Sequence, residues 1–492
     1  MLCLICVMPQ AATLAQSEDL AAKSQRAKEL MAEGKFTDAI PLYRQLSQAV
    51  PNNPGLLLNL GMALHMAGEE RKAIPPLQAA VKLDTSLAPA WLFLGAAHLQ
   101  LGELPASVKA LRTALRLQPD YQEARRMLAE ALLSGGDADA AAEQYGKLTD
   151  LGSASSSAWF GLGSAYESLA AQAFEQLHKA APGSAYWLAL AAEARLREQQ
   201  FSSAFYVYRQ AQEKMPSLRG VHAAVAEIYQ KTGHPDWAVT EDDKEQKLPK
   251  PDCVHDKLEC DFQAGKFREL LGAAQGQTTP ESYYWRTRAY NALARDAYAR
   301  LAQWPSSAPV QVLMAKMEFQ RRQYVEAARH WEEALKFSPA DAYIKEQLAI
   351  SLFETADLDR ARDLFEDLLK SEPESPELNY YLGDILLKSQ KPAEAVPFLN
   401  KAIRHDPGLL PAHASLARTY LALGQADKAI PHLKASLSID DDGSLHYQLG
   451  RAYQANGQAE LAQQTLKEYQ KIHNQQEAEK QSLNREIQIT PP

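Results

Sequence analysis

The sequence predicts an all-α protein, a solenoid of helix hairpins that stack on one another. Its unit is clearest from Ala88 to Tyr121, where two runs with an apolar period of three and four lie on either side of Gly102. That pattern indicates a helix, a tight turn and a second helix. Copies of this unit recur along the chain at a step of about 34 residues. Because one hairpin cannot bury its own apolar faces, it must stack on its neighbours.

The recurring positions define the elements in order. Small residues that allow two helices to approach closely recur at this constant step in the N-terminal half, at Gly61, Gly95, Ala129 and Gly163. Glycines at the same step separate the two helices of each unit, at Gly34, Gly68, Gly102 and Gly136. The C-terminal half repeats the small-residue series at Ala315, Ala349, Gly383, Ala417 and Gly450.

Two units lack the central turn. The first unit runs from Trp159 to Pro182. Between Gly163 and Pro182 it contains no glycine or proline, and its apolar residues keep one helical period through the place where a turn is expected. The stretch from Tyr284 to Trp304 behaves in the same way. We expect one long helix in each place. The likeness of the two segments suggests that the halves arose by duplication, and we expect each to bend the array.

The repeat resembles the tetratricopeptide repeat (TPR). The family's pattern is carried by Trp91, Leu94, Gly95, Ala114 and Pro119, and in the last unit by Leu449, Gly450, Tyr453, Gly457 and Ala462. The resemblance implies a right-handed α-α superhelical solenoid of about twelve to fourteen helix hairpins. It also implies a non-enzymatic protein whose concave groove binds a protein or peptide partner.

Composition excludes several other classes. The chain has 492 residues, a net charge of -9 and no cluster of basic and aromatic residues, so nucleic acid is not expected as a partner. No run of apolar residues is long enough to span a membrane in the mature chain. The histidines form no catalytic or metal-binding motif, and no phosphate-binding glycine loop follows a strand. We therefore expect no enzyme activity, no cofactor and no metal.

The two ends and the middle depart from the repeat. Residues 1–16 resemble the remnant of a secretory signal peptide, with Ala15 before the cleavage point at Gln16. No Lys or Arg precedes Lys23, so the basic start of such a peptide is missing. The alternative is the frayed apolar start of a cytosolic protein. The expected organisation is a leader at 1–16, an N-terminal array at 20–240, a proline-containing break at 241–262, a C-terminal array at 263–474 and a polar tail at 475–492.

Cys253 and Cys260 lie in that break, just after Pro249 and Pro251. In an exported chain the natural interpretation is a disulfide, which over so short a loop is worth about 2.5 kcal/mol. A metal site formed with His255 is a rival, but it lacks the paired Cys-x-x-Cys spacing. In a cytosolic protein the two thiols would be free.

The resemblance also identifies candidate partner-binding residues. Two positions of each first helix are considered: the residue directly after the small packing residue, and the residue three before it. They lie four apart and therefore share one face of the helix. In this family that face lines the groove. In the early repeats this face is apolar, with Leu58, Met62, Leu92 and Ala96. In the late repeats it carries Glu346, Tyr380, Asp384, Arg418, Tyr447 and Arg451. Tyrosine and arginine are enriched at binding hot spots, although they are also common on ordinary helix surfaces.

These observations favour a non-enzymatic interaction scaffold, periplasmic or secreted if the leader is real and cytoplasmic otherwise. One extended ligand is expected, apolar at one end and acidic opposite Arg418 and Arg451. Two alternatives stay open at this point: a cytosolic regulator or co-chaperone, and an accessory subunit of an envelope assembly or polysaccharide-export machine. The co-chaperone is disfavoured because apolar residues occupy the early groove positions where such proteins carry a basic clamp.

Overall fold

A computed structural model of the chain describes residues 10–150, 155–486 and 488–492. These residues form 26 α-helices and one 3-10 helix, with no strand among them. The predicted all-α architecture is therefore confirmed. Most of the predicted leader, 1–16, lies outside the described residues.

The N-terminal helices form four hairpins, and the series then continues through the middle of the chain. The hairpins are α1 Gln10–Ala32 with α2 Phe36–Ala49, α3 Pro54–Met66 with α4 Glu70–Leu83, α5 Ala88–Gln100 with α6 Leu104–Leu117, and α7 Gln122–Ser134 with α8 Ala138–Asp150. The middle helices are α9 Ser156–Ala180, α10 Ala185–Arg197, α11 Phe201–Lys214, α12 Val221–Lys231, α13 Pro235–Lys247, α14 Lys257–Gln263, α15 Phe267–Ala273 and α16 Pro280–Leu301.

Five further hairpins follow α16. They are α17 Ala308–Gln320 with α18 Tyr324–Phe337, α19 Ala342–Glu354 with α20 Leu358–Ser371, α21 Pro376–Lys388 with α22 Pro392–His405, α23 Leu410–Ala422 with α24 Ala426–Ser436, and α25 Ser444–Ala455 with α26 Ala459–Glu486. The 3-10 helix Leu437–Ile439 follows α24 directly. Because α26 extends to Glu486, much of the segment expected to be a polar tail is helical.

Each hairpin turn is built on a residue with left-handed backbone conformation. Gly102 has φ 70°, and the N–H of Glu103 donates to the carbonyl of His98 over 2.9 Å while that of Gly102 donates to Leu99 over 3.0 Å. This pair of bonds is a Schellman motif, which caps the end of the first helix. Glycine adopts this conformation without steric cost, so the predicted turn glycines end their helices where the sequence places them.

The two helices of a hairpin meet at the small residue of the first helix. A methyl group on Gly95 would lie 2.5 Å from Cγ of Leu111, which is fully buried. The same pairing of a first-helix glycine with a second-helix leucine recurs at Gly61 and Leu77, Gly383 and Leu399, and Gly450 and Leu466. Glycine therefore sets the closeness of the two helices, and the leucine fills the space that it leaves.

The two predicted long helices are confirmed as α9, with 25 residues, and α16, with 22 residues. In α9 the position that this leucine would hold relative to Gly163 is taken by Lys179, which is exposed. The leucine's place is filled instead by Tyr298 of α16, whose ring would overlap a methyl group on Gly163. The C-terminal part of α16 thus supplies the packing partner that a second helix provides elsewhere.

The chain divides into two compact units, each made of three stretches. The first comprises residues up to Ala173 together with Gly265–Gly272 and Arg286–Ala302. The second comprises Phe174–Ala264, Ala273–Trp285 and Gln303–Pro492.

Within the second unit α13 continues through Glu241 to Lys247, and α14 begins at Lys257. The helix-free break is therefore residues 248–256, which is shorter than the break of 241–262 expected from the sequence.

Candidate functional site

The candidate partner-binding residues of the late repeats lie on successive first helices of the second unit. Ser415 of α23 donates from Oγ to Oδ1 of Asp384 on α21 over 2.6 Å. Lys388 lies 3.1 Å from the other carboxylate oxygen of Asp384, through its Nζ. Asp384 is only 3% exposed. It is therefore a buried, paired carboxylate that joins two helices, not an open contact for a partner, which corrects its predicted role.

Arg418 is exposed on α23 and is held in place by its own helix. Its Nε donates to the carbonyl of Ala414 over 3.3 Å, and its Nη2 donates to Oγ of Ser415 over 3.2 Å. Since Ser415 also donates to Asp384, the guanidinium is linked to that buried carboxylate. A guanidinium has five N–H donors, so two bonds leave donors available to an incoming acceptor. Arg418 is thus pre-oriented and open on one side.

Tyr380 lies beside this arginine and is half-buried. Burial raises the pKa of the Tyr380 phenol, and the nearby Asp384 raises it further, whereas the charge of Arg418 lowers it. The phenol therefore stays protonated and can donate a hydrogen bond. Its ring centroid lies 5.1 Å from that of Tyr381. The structure brings together three of the predicted residues here: Tyr380, Asp384 and Arg418.

A second group lies on α25. Tyr447 is 43% exposed, and Nη1 of Arg451 donates to its phenol oxygen over 3.4 Å. The ring of Tyr447 also contacts that of Tyr469 on α26, with centroids 5.3 Å apart. No hydrogen bond, ion pair or ring contact among the described residues joins this pair to Arg418. We call the four residues Tyr380, Arg418, Tyr447 and Arg451 the arginine–tyrosine face.

The far end of this set of helices is acidic. Glu346 on α19 is half-buried, and burial together with the charges of Glu372 and Glu377 raises the pKa of its carboxyl. A group in that environment favours a neutral or basic neighbour over a second carboxylate. Polarity along the helices therefore runs from acidic at α19 to basic at α23 and α25.

Sequence reasoning missed two residues that extend this surface. Lys388 lies with its Nζ 3.7 Å from the ring centroid of Phe353, a cation–π contact between α21 and α19. Phe353 also meets the ring of Tyr381 edge-on at 5.4 Å. Phe353 follows the small residue Ala349 by four positions, so a search of one more helical turn on the same face would have found it.

The apolar candidates of the early repeats are corrected in part. Leu92 is 4% exposed and belongs to a core cluster that also contains Ala124 and Leu128 of the next hairpin, and Ala96 is 2% exposed. Neither offers a surface to a partner. Leu58 and Met62 are half-buried and keep some accessible side chain. The predicted apolar track is thus shorter than the residue pattern indicated.

The cysteines of the break form a pair at the start of α14. The Sγ atoms of Cys253 and Cys260 are bonded, with their Cα atoms 5.6 Å apart. The side chain of His255, the third residue of the rival metal site, contacts Asp252 at 2.6 Å through Nδ1. In the described part of the chain, no group of three or more His, Cys, Asp or Glu side chains is placed to hold a metal ion.

The segment around the break is tied to the repeats by charged side chains. Nε of Arg219 lies 3.0 Å from Oε1 of Glu259 on α14, and Nη2 donates to the carbonyl oxygens of Leu248 and Pro249. Glu245 of α13 accepts from the backbone N–H of Gly220 over 2.8 Å. These contacts give the break a fixed position against α12 and α13.

None of the described helices has the length and apolarity required to cross a membrane.

Comparisons with known protein families agree with this architecture. A tetratricopeptide repeat model matches residues 24–88, 92–156, 126–169 and 346–409, and two other models of the repeat match 386–445 and 443–475. No curated protein matches the chain.

Among solved structures, the chain is similar to MamA, residues 41 to the end, from Desulfovibrio magneticus RS-1. The two are 22% identical over 34% of this chain and 96% of that chain, with a TM-score of 0.32. YrrB, a TPR protein with an unusual peptide-binding site, is 22% identical over 34% of this chain and 86% of its own, with a TM-score of 0.30. TTC0263, a thermophilic TPR protein in Thermus thermophilus, is 19% identical over 37% of this chain and 98% of its own, with a TM-score of 0.29.

Proposed function

The chain belongs to the tetratricopeptide repeat proteins, and on that premise we propose that it is a non-enzymatic scaffold that binds an extended acidic segment of another protein on the arginine–tyrosine face. The observation that carries the proposal is the exposed, pre-oriented guanidinium of Arg418 beside the protonated phenol of Tyr380. Arginine can bind a carboxylate through two parallel hydrogen bonds, and a neighbouring tyrosine adds contact area and a donor.

The direction of the ligand follows from the charges. Arg418 and Arg451 favour carboxylates at the α23 and α25 end, whereas Glu346 disfavours them at the α19 end. We therefore expect a segment whose acidic residues lie over α23 and α25 and whose neutral or basic residues lie over α19. Holding Arg418 in one orientation before binding lowers the entropy lost on association.

We also propose that the protein works outside the cytoplasm, in the periplasm or secreted. The bond between Cys253 and Cys260 supports this proposal because disulfides persist in oxidising compartments and are rare in the cytosol.

The decisive test of the binding proposal is capture of a partner by the full-length protein. After identification of the partner by mass spectrometry, the variant Arg418→Glu with Arg451→Glu should lose most of the capture while its melting curve is unchanged. A matched control is Arg404→Glu with Lys434→Glu, which makes the same change in charge at exposed positions on the second helices α22 and α24. Equal capture by wild type and the Arg418 and Arg451 variant would show that the partner binds elsewhere.

A further inference from the structure

A cleft in the second unit lies away from the arginine–tyrosine face. It has a volume of about 730 Å³ and is formed by the end of α10 and the turn between α17 and α18. Volumes of this size are typical of sites that enclose a small molecule or part of a peptide. The cleft therefore has room for one or two side chains of a partner.

Its lining carries more basic than acidic side chains. Three guanidinium groups line it, those of Arg197, Arg321 and Arg322, against the single carboxylate of Glu198. That carboxylate accepts a hydrogen bond from Nε2 of Gln200 over 2.8 Å. Glu193 and Glu318, outside the lining, pair with Arg197 and Arg321, so Arg322 is the guanidinium that favours an anionic occupant.

The three arginines differ in how far they are already satisfied. Arg321 lies 3.2 Å from Oε1 of Glu318, and Arg197 lies 3.9 Å from Oε1 of Glu193. Arg322 is exposed and makes no ion pair or side-chain hydrogen bond among the described residues. It is thus the guanidinium with the most free donors for a ligand.

Arg322 also occupies an unfavourable backbone position. Its φ is 59°, in the left-handed region, at the hairpin-turn place that Gly102 and Gly424 fill in other repeats. Gln199, in the facing turn after α10, has φ 59° as well. A side chain at this position costs free energy that glycine avoids. Ala356 and Gln390 hold the same turn position after α19 and α21, with φ 61° and 60°, so this fold also fills the position with residues other than glycine.

The lining also contains apolar and aromatic side chains. The rings of Phe319 and Tyr324 meet edge-on with centroids 5.1 Å apart, and Met317 is 38% exposed. Aromatic rings and a flexible thioether accept apolar side chains of varied shape. An occupant that matches both parts of the cleft carries carboxylates next to an apolar side chain.

We propose that this cleft is a second peptide site, which binds a short acidic segment of a protein through Arg322, Arg321 and Arg197 and takes an apolar side chain of that segment against Phe319, Tyr324 and Met317. The site is separate from the arginine–tyrosine face and does not depend on the ligand of that face.

The test uses the full-length protein and fluorescence anisotropy of a labelled peptide, Glu-Glu-Leu-Glu-Glu. Arg322→Gly removes the guanidinium and replaces it with the residue found at other hairpin turns, so the melting temperature should stay equal or rise. We expect peptide affinity to fall about tenfold, as for loss of one charge-assisted hydrogen-bonded contact. Gln199→Gly is the matched control, since it relieves the same backbone conformation without removing charge, and it should leave affinity unchanged.

Unchanged affinity in Arg322→Gly, or an equal loss in Gln199→Gly, would overturn the proposal. Displacement of the peptide by inorganic phosphate or citrate at the peptide's own concentration would also overturn it, because the cleft would then be a site for small anions. The variant Arg418→Glu with Arg451→Glu, titrated in parallel, reports on the other face. Failure of one site is therefore distinguishable from failure of the other.

Discussion

Gly95 allows two helices to approach closely because its side chain is a single hydrogen atom. Its place opposite Leu111 leaves no room for a methyl group, and Leu111 is fully buried and cannot move into solvent. Gly95→Ala should therefore lower the free energy of unfolding by about 1–3 kcal/mol, the usual cost of overpacking. The measurement is a denaturant or thermal melt of the purified variant.

Gly146 in α8 is the matched control for that change. A methyl group there would meet nothing within 4 Å, so Gly146→Ala should gain up to about 1 kcal/mol from helix propensity alone. If the two alanine variants melt alike, the close contact at Gly95 does not exist in solution.

Glu241 links stability to pH. Its side chain is fully buried and lies 2.5 Å from Nδ1 of His222 and 2.7 Å from Nζ of Lys244. Burial by itself would raise the pKa of Glu241, but these hydrogen bonds and charges outweigh burial and lower the pKa to about 2. Since the folded value lies below the ordinary one of 4.5, the ionised carboxylate stabilises the fold above that pH.

This contribution should disappear as the pH falls from about 4.5 to about 2, and its upper bound is about 3 kcal/mol. Glu241→Gln should be less stable than wild type at pH 7 but should lose less stability on acidification. Urea unfolding at pH 7, 4 and 3 measures both. Parallel pH profiles for the two proteins would contradict the assignment of this carboxylate.

At the scale of elements, the long helix α9 depends on a partner that is distant in sequence. Tyr298 of α16 packs over Gly163, and its phenol oxygen donates to Oε2 of Glu167 over 2.7 Å. The ring of Tyr290, also on α16, stacks on that of Tyr166 with centroids 6.3 Å apart. The C-terminal part of α16 therefore covers the face of α9 that an adjacent second helix would cover in an ordinary repeat.

Tyr298→Ala should lower the stability of the first unit by about 2–3 kcal/mol, because it removes a half-buried ring that packs over Gly163 and the hydrogen bond to Glu167. Lys179→Ala is the control. Lys179 stands at the position that leucine occupies in regular hairpins, but it is exposed and pairs with Glu175 at 3.2 Å on the surface of its own helix. Its loss should therefore change stability by about 0.5 kcal/mol or less. A large effect at Lys179 would mean that the C-terminal half of α9, and not α16, packs against Gly163.

For the molecule as a whole, the pair Cys253 and Cys260 reports the compartment. We expect both residues to be bonded in protein purified from its native location, since the structure joins them and disulfides persist only under oxidising conditions. Alkylation before and after reduction, read by mass on the peptide that contains both residues, measures this. Two thiols that react without reductant would remove the support for export, and the location of the protein would have to be sought in the cytoplasm.

Much of the fold was predictable because its determinants are local. The turn glycines, the small packing residues and the unbroken helical period of α9 and α16 all act within one hairpin, or between one hairpin and the next. A repeat with a constant step exposes these determinants many times over, so the sequence alone was enough for the all-α hairpins, the two long helices and the membership of the repeat family.

The tertiary structure alone decided which residues meet across the chain. The partner of Gly163 is Tyr298, on a helix far along the chain, and no periodic pattern points to it because the contact is not between neighbours in sequence. Burial was decided in the same way: a position on the predicted groove face is accessible at Arg418 but buried at Asp384 and Leu92. Whether such a side chain faces solvent depends on how closely the adjacent hairpin packs against it, which helical spacing within one hairpin does not specify.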